Sequence, residues 1–265
     1  IAGTGSLYGA LALEKIGPGV LTLSASNSFS GGTRIAGGRI TLANDVANAH
    51  GLGTGPITFE GGTLRMYSDN DTYNAATYHL VVPAGSVGHL DADGRVDLYG
   101  TLTGAGTLNL KAPYVRTTLY GDWSGFGGRL NVSNATFQTF STNGFGGATV
   151  ALGPSAGLQY GGAVGSGGNV VEIGELSGAA TAALRGGTTG GGLVLTWAVG
   201  GLGTDAHFAG AASEQDGDST TALRKVGAGT WTIGGACTHR GGTTVSNGLL
   251  RINGALNESF LTVAA

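Results

Sequence analysis

Apolar and polar residues alternate one by one in a series of short runs: Val20-Leu21-Thr22-Leu23, Arg39-Ile40-Thr41-Leu42, Pro56-Ile57-Thr58-Phe59, Thr63-Leu64-Arg65-Met66, Thr107-Leu108-Asn109-Leu110, Arg129-Leu130-Asn131-Val132 and Leu250-Arg251-Ile252-Asn253. A period of two is the strand period, so each run sends two apolar side chains to one face and two polar ones to the other. Gly-Gly pairs (31–32, 37–38, 61–62, 127–128, 146–147, 241–242) and Gly-x-Gly pairs (17–19, 53–55, 104–106, 227–229) bound the runs. Glycine there supplies the turn conformations and lets neighbouring segments approach closely.

A thirty-residue phrase occurs twice, 210 residues apart and without a gap: 13–42 (LEKIGPGVLTLSASNSFSGGTRIAGGRITL) and 223–252 (LRKVGAGTWTIGGACTHRGGTTVSNGLLRI). Both copies carry a lysine (Lys15, Lys225), a Gly-x-Gly pair and a Gly-Gly-Thr turn (Gly31-Gly32-Thr33, Gly241-Gly242-Thr243). Self-similarity of this kind marks a repeat architecture. Uniform short strands between glycine turns, with few Asn-Gly or Asp-Gly hairpin signals, favour a β-helix over a sandwich of hairpins. Each coil would take roughly 20–25 residues, so about a dozen coils fit the chain. The expectation is that Leu21, Leu23, Ile40 and Leu42, and their equivalents Trp231, Ile233, Leu250 and Ile252, face inward.

Composition narrows the picture. The chain has 265 residues, of which 54 are Gly, 41% are hydrophobic and 11% are charged. Glycine without a three-residue period excludes collagen, and the apolar content argues against disorder. A net charge of −3 leaves no basic footprint for nucleic acid. No apolar run approaches the ~20 residues of a membrane-spanning helix, so no membrane insertion by this segment is expected. Cys237 is the single cysteine, which excludes a disulfide framework within the chain.

Three stretches emerge within a single β-helix segment: 1–66 and 171–265 are regular, and 67–170 is irregular with loop insertions. Six of the eight tyrosines (Tyr67, Tyr73, Tyr78, Tyr99, Tyr114, Tyr120), with Trp123 and Phe126, fall between 67 and 126, beside Asp69, Asp71, Asp91, Asp93, Asp97 and Asp122. Insertions that leave a solenoid often collect on one interacting face. Tyr67, Asp69, Asp71, Tyr73, Asp91 and Asp93 are therefore candidate glycan ligands, because aromatic faces stack on sugar C–H surfaces and carboxylates bind hydroxyls. The competing reading puts these aromatics in the core or on ordinary surface, since aromatics are common in strands.

At Lys15 to Leu42 the wording Lys-x-Gly-x-Gly, strand, Asn-x-Phe-Ser-Gly-Gly-Thr, strand, Gly-Gly, strand resembles the autotransporter-associated β-strand repeat. The continuation Leu42-Ala43-Asn44-Asp45, Gly51-Leu52-Gly53-Thr54-Gly55-Pro56 and Gly61-Gly62-Thr63-Leu64 resembles that family too, as does 171–177 (VEIGELS). The second copy departs from it at Cys237, His239 and Arg240. The resemblance implies an all-β, right-handed parallel β-helix in a secreted or surface-exposed bacterial protein, associated with the outer membrane. Such repeats occur in passenger regions and beside carbohydrate-active modules. The family attaches no catalytic or cofactor residues to the repeat. Residues 260–265 read as a strand without its next turn, so a segment of a longer protein is expected, with adjacent domains of the same polypeptide as partners.

No metal or cofactor site is expected. Asp91 to Asp97 has the look of a calcium loop, but it lacks the closing bidentate Glu and contains Arg95. It reads equally as an Asp-Gly turn between strands, with Asp97 a solvated strand residue. Glu214 to Asp218 and Asp205-Ala206-His207 read as loops. Asp69, Asp71, His79, His89, Asp91 and Arg95 would have to converge for a lyase or glycosidase, and their spacing brings no two together. No catalytic residues are assigned. The function expected is a stalk or display scaffold without catalysis in this segment. A module that binds or processes polysaccharide, and an adhesive or self-assembling surface, stand as alternatives, with a polysaccharide or a host-cell surface as partner.

Overall fold

A computed structural model describes residues 6–43, 49–67, 74–93, 95–112, 117–162, 168–187, 193–215, 220–257 and 259–264. The protein is an all-β parallel solenoid of about 10 turns. Among the described residues, helix is confined to positions 49 and 50, and no helix is long and apolar enough to cross a membrane. The chain divides into two compact units, 1–130 and 131–265.

Unit 1 contains β1 (Leu13–Lys15), β2 (Val20–Leu23), β3 (Thr33–Ile35), β4 (Arg39–Leu42), β5 (Ile57–Phe59), β6 (Thr63–Tyr67), β7 (Asn74–Ala76), β8 (Leu80–Val82), β9 (Val87–Asp93), β10 (Val96–Leu98), β11 (Leu102–Gly104), β12 (Thr107–Lys111) and β13 (Thr117–Leu119). Three ladders run through it: β1-β3-β5-β8-β11, β2-β4-β6-β9-β12 and β7-β10-β13. Neighbours within a ladder lie one coil apart in sequence and pair in parallel, as Leu21↔Ile40 and Ile40↔Leu64 show. Parallel pairing without crossover helices is what a coiled chain with glycine corners permits.

In-register stacking aligns like with like. Leu21, Ile40, Leu64, Leu90 and Leu110 form one inward column, and Leu23, Leu42, Met66 and Ala92 form the next. All are buried except Leu21, which is half-buried because β2 pairs on one edge only. The middle stretch also places its aromatics selectively. Tyr78, Trp123 and Phe126 lie inside, whereas Tyr99 and Tyr120 stay exposed.

β14 (Arg129–Ser133) contains the division between the units. Unit 2 continues with β15 (Thr136–Thr139), β16 (Phe145–Leu152), β17 (Gly157–Tyr160), β18 (Asn169–Gly178), β19 (Ala183–Arg185), β20 (Val194–Val199), β21 (Ala206–Phe208), β22 (Ala211–Ser213), β23 (Thr220–Lys225), β24 (Thr230–Ile233), β25 (Thr243–Val245), β26 (Leu249–Ile252) and β27 (Leu261–Val263). Its ladders are β15-β17-β19-β22 and β16-β18-β20-β23-β25-β27, with β21-β24-β26 branching from β18. Trp231 and Ile233 are buried, and Leu250 and Ile252, on β26 with its single partner β24, are half-buried with the expected inward parity. The buried tryptophans also satisfy their polar edges: Trp197 Nε1 donates to Arg185 O across its own coil at 3.1 Å, and Trp231 Nε1 donates to Leu176 O two coils away at 3.2 Å.

Candidate functional site

The lysine of the duplicated phrase is not a surface charge. Lys15 ends β1 in the inward column that Ile35 continues on β3, and Lys225 ends β23 in the column of Val199 and Val245. Lys15 is 8% exposed and Lys225 1%. Lys15 Nζ donates to the carbonyl oxygens of Ile16 (2.9 Å), Gly17 (2.8 Å) and Gly37 (3.2 Å). Lys225 Nζ donates to those of Val226 (2.5 Å), Gly227 (2.7 Å) and Asn247 (3.2 Å). Three donors meet three acceptors, two in the lysine's own turn and one in the next coil, and this satisfaction is what makes a buried ammonium tolerable. Burial still pushes the Lys225 ammonium down from its ordinary pKa, with the Asp205 carboxylate acting in the opposite sense.

The glycines of the phrase are shaped by the same bracket. Gly38 and Gly248 have φ of 63° and 70°. A Cβ on Gly38 would sit 2.6 Å from Lys15 Nζ and closer still to the carbonyl oxygens of Gly17 and Gly19. Sequence reasoning saw the lysine but not its role; the signal available was its place on the apolar side of the strand alternation.

The second copy's departures occupy working positions. Asn27 Oδ1 accepts Leu7 N–H at 2.8 Å from the coil before, and Asn27 Nδ2 donates to Gly51 O at 2.6 Å in the coil after. Cys237, its counterpart, accepts Ala212 N–H at 3.4 Å through Sγ, and its thiol faces Gly235 O in its own turn at 4.0 Å, so nothing is donated to the coil after. Burial raises its thiol pKa. His239 stands where the first copy has Phe29, and both are buried. Its Nε2 meets Thr243 Oγ1 at 2.8 Å and Ser259 Oγ at 3.3 Å, while Nδ1 is buried without a partner. Burial pushes this imidazole's pKa down, against the opposing pull of Glu214.

Of the candidate glycan ligands, Asp69, Asp71 and Tyr73 lie outside the described residues. The other three meet on the outer face of β6 and β9, where Arg65 pairs with Asp91 and Tyr67 with Asp93 in register. Asp93 is ion-paired with Arg65, and Asp91 lies 3.7 Å from Arg39. The Arg65 guanidinium also sits 4.8 Å from the centre of the Tyr67 ring. Arg65 thus engages Asp93 of the next coil and one face of Tyr67 on its own strand, and Arg39 faces Asp91 from two coils away. A similar tie joins Arg34 to Glu14 and Glu60.

Three loop or surface expectations are corrected. Asp97 is buried on β10, in register with Thr118 of β13, and is not solvated. Asp205-Ala206-His207 enters strand β21, and Asp205 Oδ1 accepts Thr230 N–H at 2.7 Å. Glu214 receives Arg240 N–H at 2.6 Å and Thr221 N–H at 2.7 Å, so it ties segments together where free solvation was expected. Among the described residues no three His, Cys, Asp or Glu side chains are grouped to hold a metal ion. Tyr99 and Tyr120, in successive coils, stack with centroids 4.7 Å apart and planes 6° from parallel.

The profile of the passenger-associated-transport-repeat family matches residues 13–42 and 223–252, the same two phrases that carry the lysine bracket. Both phrases match that repeat over all thirty residues. The chain is also 33% identical over 130 residues to the Adhesin BmaC autotransporter of Brucella suis biovar 1 (strain 1330). That match covers 49% of this chain and 4% of the adhesin, so the chain spans a small part of the relative's length. No solved structure matches. The passenger repeats put the bracket, the glycine corners and the Asn27 or Cys237 position into one unit whose chemistry joins coil to coil.

Proposed function

We propose that this chain is a scaffold segment of a bacterial surface protein, in which stacked passenger repeats hold adjoining parts of the polypeptide away from the cell. The passenger repeats and the likeness to an autotransporter adhesin put the chain outside the cell or on its surface, associated with the outer membrane. The observation that carries the scaffold reading is the lysine bracket, built the same way in both repeats from the residues that define the repeat. The outer ion pairs support it as well, since Arg34, Arg39 and Arg65 engage acids of other coils.

Display of an epitope tag fused to the segment tests this reading. Lys15→Met with Lys225→Met should lower display on the cell surface, and Lys111→Met, at an exposed residue, should leave it intact. Unchanged display in the lysine variant would count against the scaffold.

Adhesion is the second reading, favoured by the match to an adhesin, with a polysaccharide or a host-cell surface as target. The exposed Tyr99–Tyr120 stack is the aromatic surface best placed to serve it. Calorimetry against bacterial and host glycans should then show heat that Tyr99→Ala abolishes. Absence of binding to every glycan would remove the glycan form of this reading.

A further inference from the structure

The sequence holds three Asn-Gly junctions, at 143–144, 247–248 and 253–254, and the structure treats them differently. At the second, Gly248 N–H donates to the side-chain Oδ1 of Asn247 itself, at 2.8 Å. The side-chain carbonyl carbon, one bond from that oxygen, is thereby folded back over the main-chain nitrogen that follows it. Both residues are exposed to water. At the third junction the Gly254 nitrogen faces Ile233 O at 3.4 Å instead. At the first, Gly144 is buried. Gly248 is also held as glycine, because a Cβ there would collide with the carbonyl oxygens of Gly227 and Gly229.

We propose that Asn247 is a self-modification site, converting through a succinimide to aspartate and isoaspartate. The Gly248 nitrogen gives up its proton to water and attacks Asn247 Cγ. The N–Cγ bond forms, the Cγ–Nδ2 bond breaks, and Nδ2 leaves as ammonia with a proton from water. A water molecule then opens the ring at either carbonyl, so asparagine and water yield a carboxylate and an ammonium ion with no change of oxidation state. Holding the reacting atoms together in this way is the proximity effect that speeds intramolecular reactions.

The position gives the reaction a structural consequence. The main-chain oxygen of Asn247 is the acceptor that the second repeat offers to Lys225 from the next coil. In the isoaspartate product that carbonyl becomes a free carboxylate beside the ammonium, and the main chain reroutes through Cγ with one more atom. The first repeat has Gly37 at this place, which carries no side-chain amide to react.

The test follows three tryptic peptides of the folded protein at mildly alkaline pH. Asn247 lies alone in the peptide Gly241–Arg251, separate from Asn143 and Asn253. A mass gain of about 1 Da, with isoaspartate, should appear there first. Its rate should exceed those at Asn143 and Asn253 by at least about fivefold, and the three rates should converge in denaturant. Asn247→Gly, which copies Gly37, should keep the strand circular dichroism and abolish the gain in that peptide. Equal rates at the three junctions of the folded protein, or a faster reaction at Asn143 or Asn253, would overturn the proposal.

Discussion

The Lys15 ammonium donates to the carbonyl oxygen of Gly37 across 3.2 Å, from one coil to the next. Lys225 repeats this toward Asn247 at the same 3.2 Å, in a phrase 210 residues further along. A lysine on the apolar side of a strand is costly unless its three protons are taken up, and here the turn that follows takes up two and the next coil the third. The Lys-x-Gly-x-Gly wording of the repeat is therefore a description of a bracket. The lysine supplies the charge, the glycines allow the carbonyls to converge, and the next coil closes the set.

Removing the ammonium leaves converging carbonyls without a donor. Lys225→Met should destabilise unit 2 by about 1–3 kcal/mol, the usual cost of leaving buried acceptors unsatisfied. Lys15→Met should act likewise on unit 1. Lys111→Met, at an exposed residue, should stay within about 0.5 kcal/mol. Denaturant unfolding followed by the buried tryptophans measures all three.

His239 should make the second repeat sensitive to acid. Its folded pKa is depressed below the ordinary 6.5 because burial disfavours the imidazolium. The unfolded chain then takes up the proton first, so stability that is complete above pH 6.5 falls as pH drops from there toward the folded value. His239→Phe, which copies Phe29, should remove this slope and raise the melting temperature at pH 5 relative to the unsubstituted chain. Melting curves across pH 5 to 8 give the comparison.

Cys237→Asn should strengthen the second repeat. Cys237 N donates to Ala255 O at 2.7 Å as Asn27 N donates to His50 O at 2.9 Å, so Leu256 O stands where Gly51 O accepts the Asn27 side chain. The new side-chain amide would reach that acceptor and add about 0.5–1.5 kcal/mol. The gain should appear as a rise in melting temperature of a few degrees; no rise, or a fall, would show that the thiol packs better than the amide bonds.

Inward and outward positions on one ladder should differ sharply. Ile40→Ala, at a side chain fully buried between Leu21 and Leu64, should cost about 2–5 kcal/mol. Arg65→Ala breaks a partly exposed ion pair and should cost at most about 1 kcal/mol. Paired unfolding measurements on the two variants settle the contrast.

The inward columns were legible in the sequence because alternation is a property of the strand itself: Ile40, Leu42, Trp231 and Ile233 needed only their neighbours to be placed. Coil-to-coil register was not legible. Asp91 and Asp93 could be set on one face from their spacing, but their partners Arg39 and Arg65 come from other coils, and only register brings them there. Tyr99 and Tyr120 are stacked for the same reason. Cys237 and His239 were visible as departures from the repeat. The ungapped alignment shows what they replace, Asn27 and Phe29, but the onward amide bond lost at 237 is visible only in the hydrogen bonds between coils. Alternation put Lys15 on the side of Leu13, but the charge of a lysine by itself argues for solvent, and so the bracket was missed.

The most direct measurement is nitrogen-15 NMR of the lysine ammonium groups, of which the chain has three. Lys15 and Lys225, locked on carbonyl oxygens, should give two slowly exchanging signals, each with hydrogen-bond couplings to carbonyl carbons of its bracket, while exposed Lys111 exchanges too fast to be seen. Three ammonium groups exchanging alike with water would contradict the account.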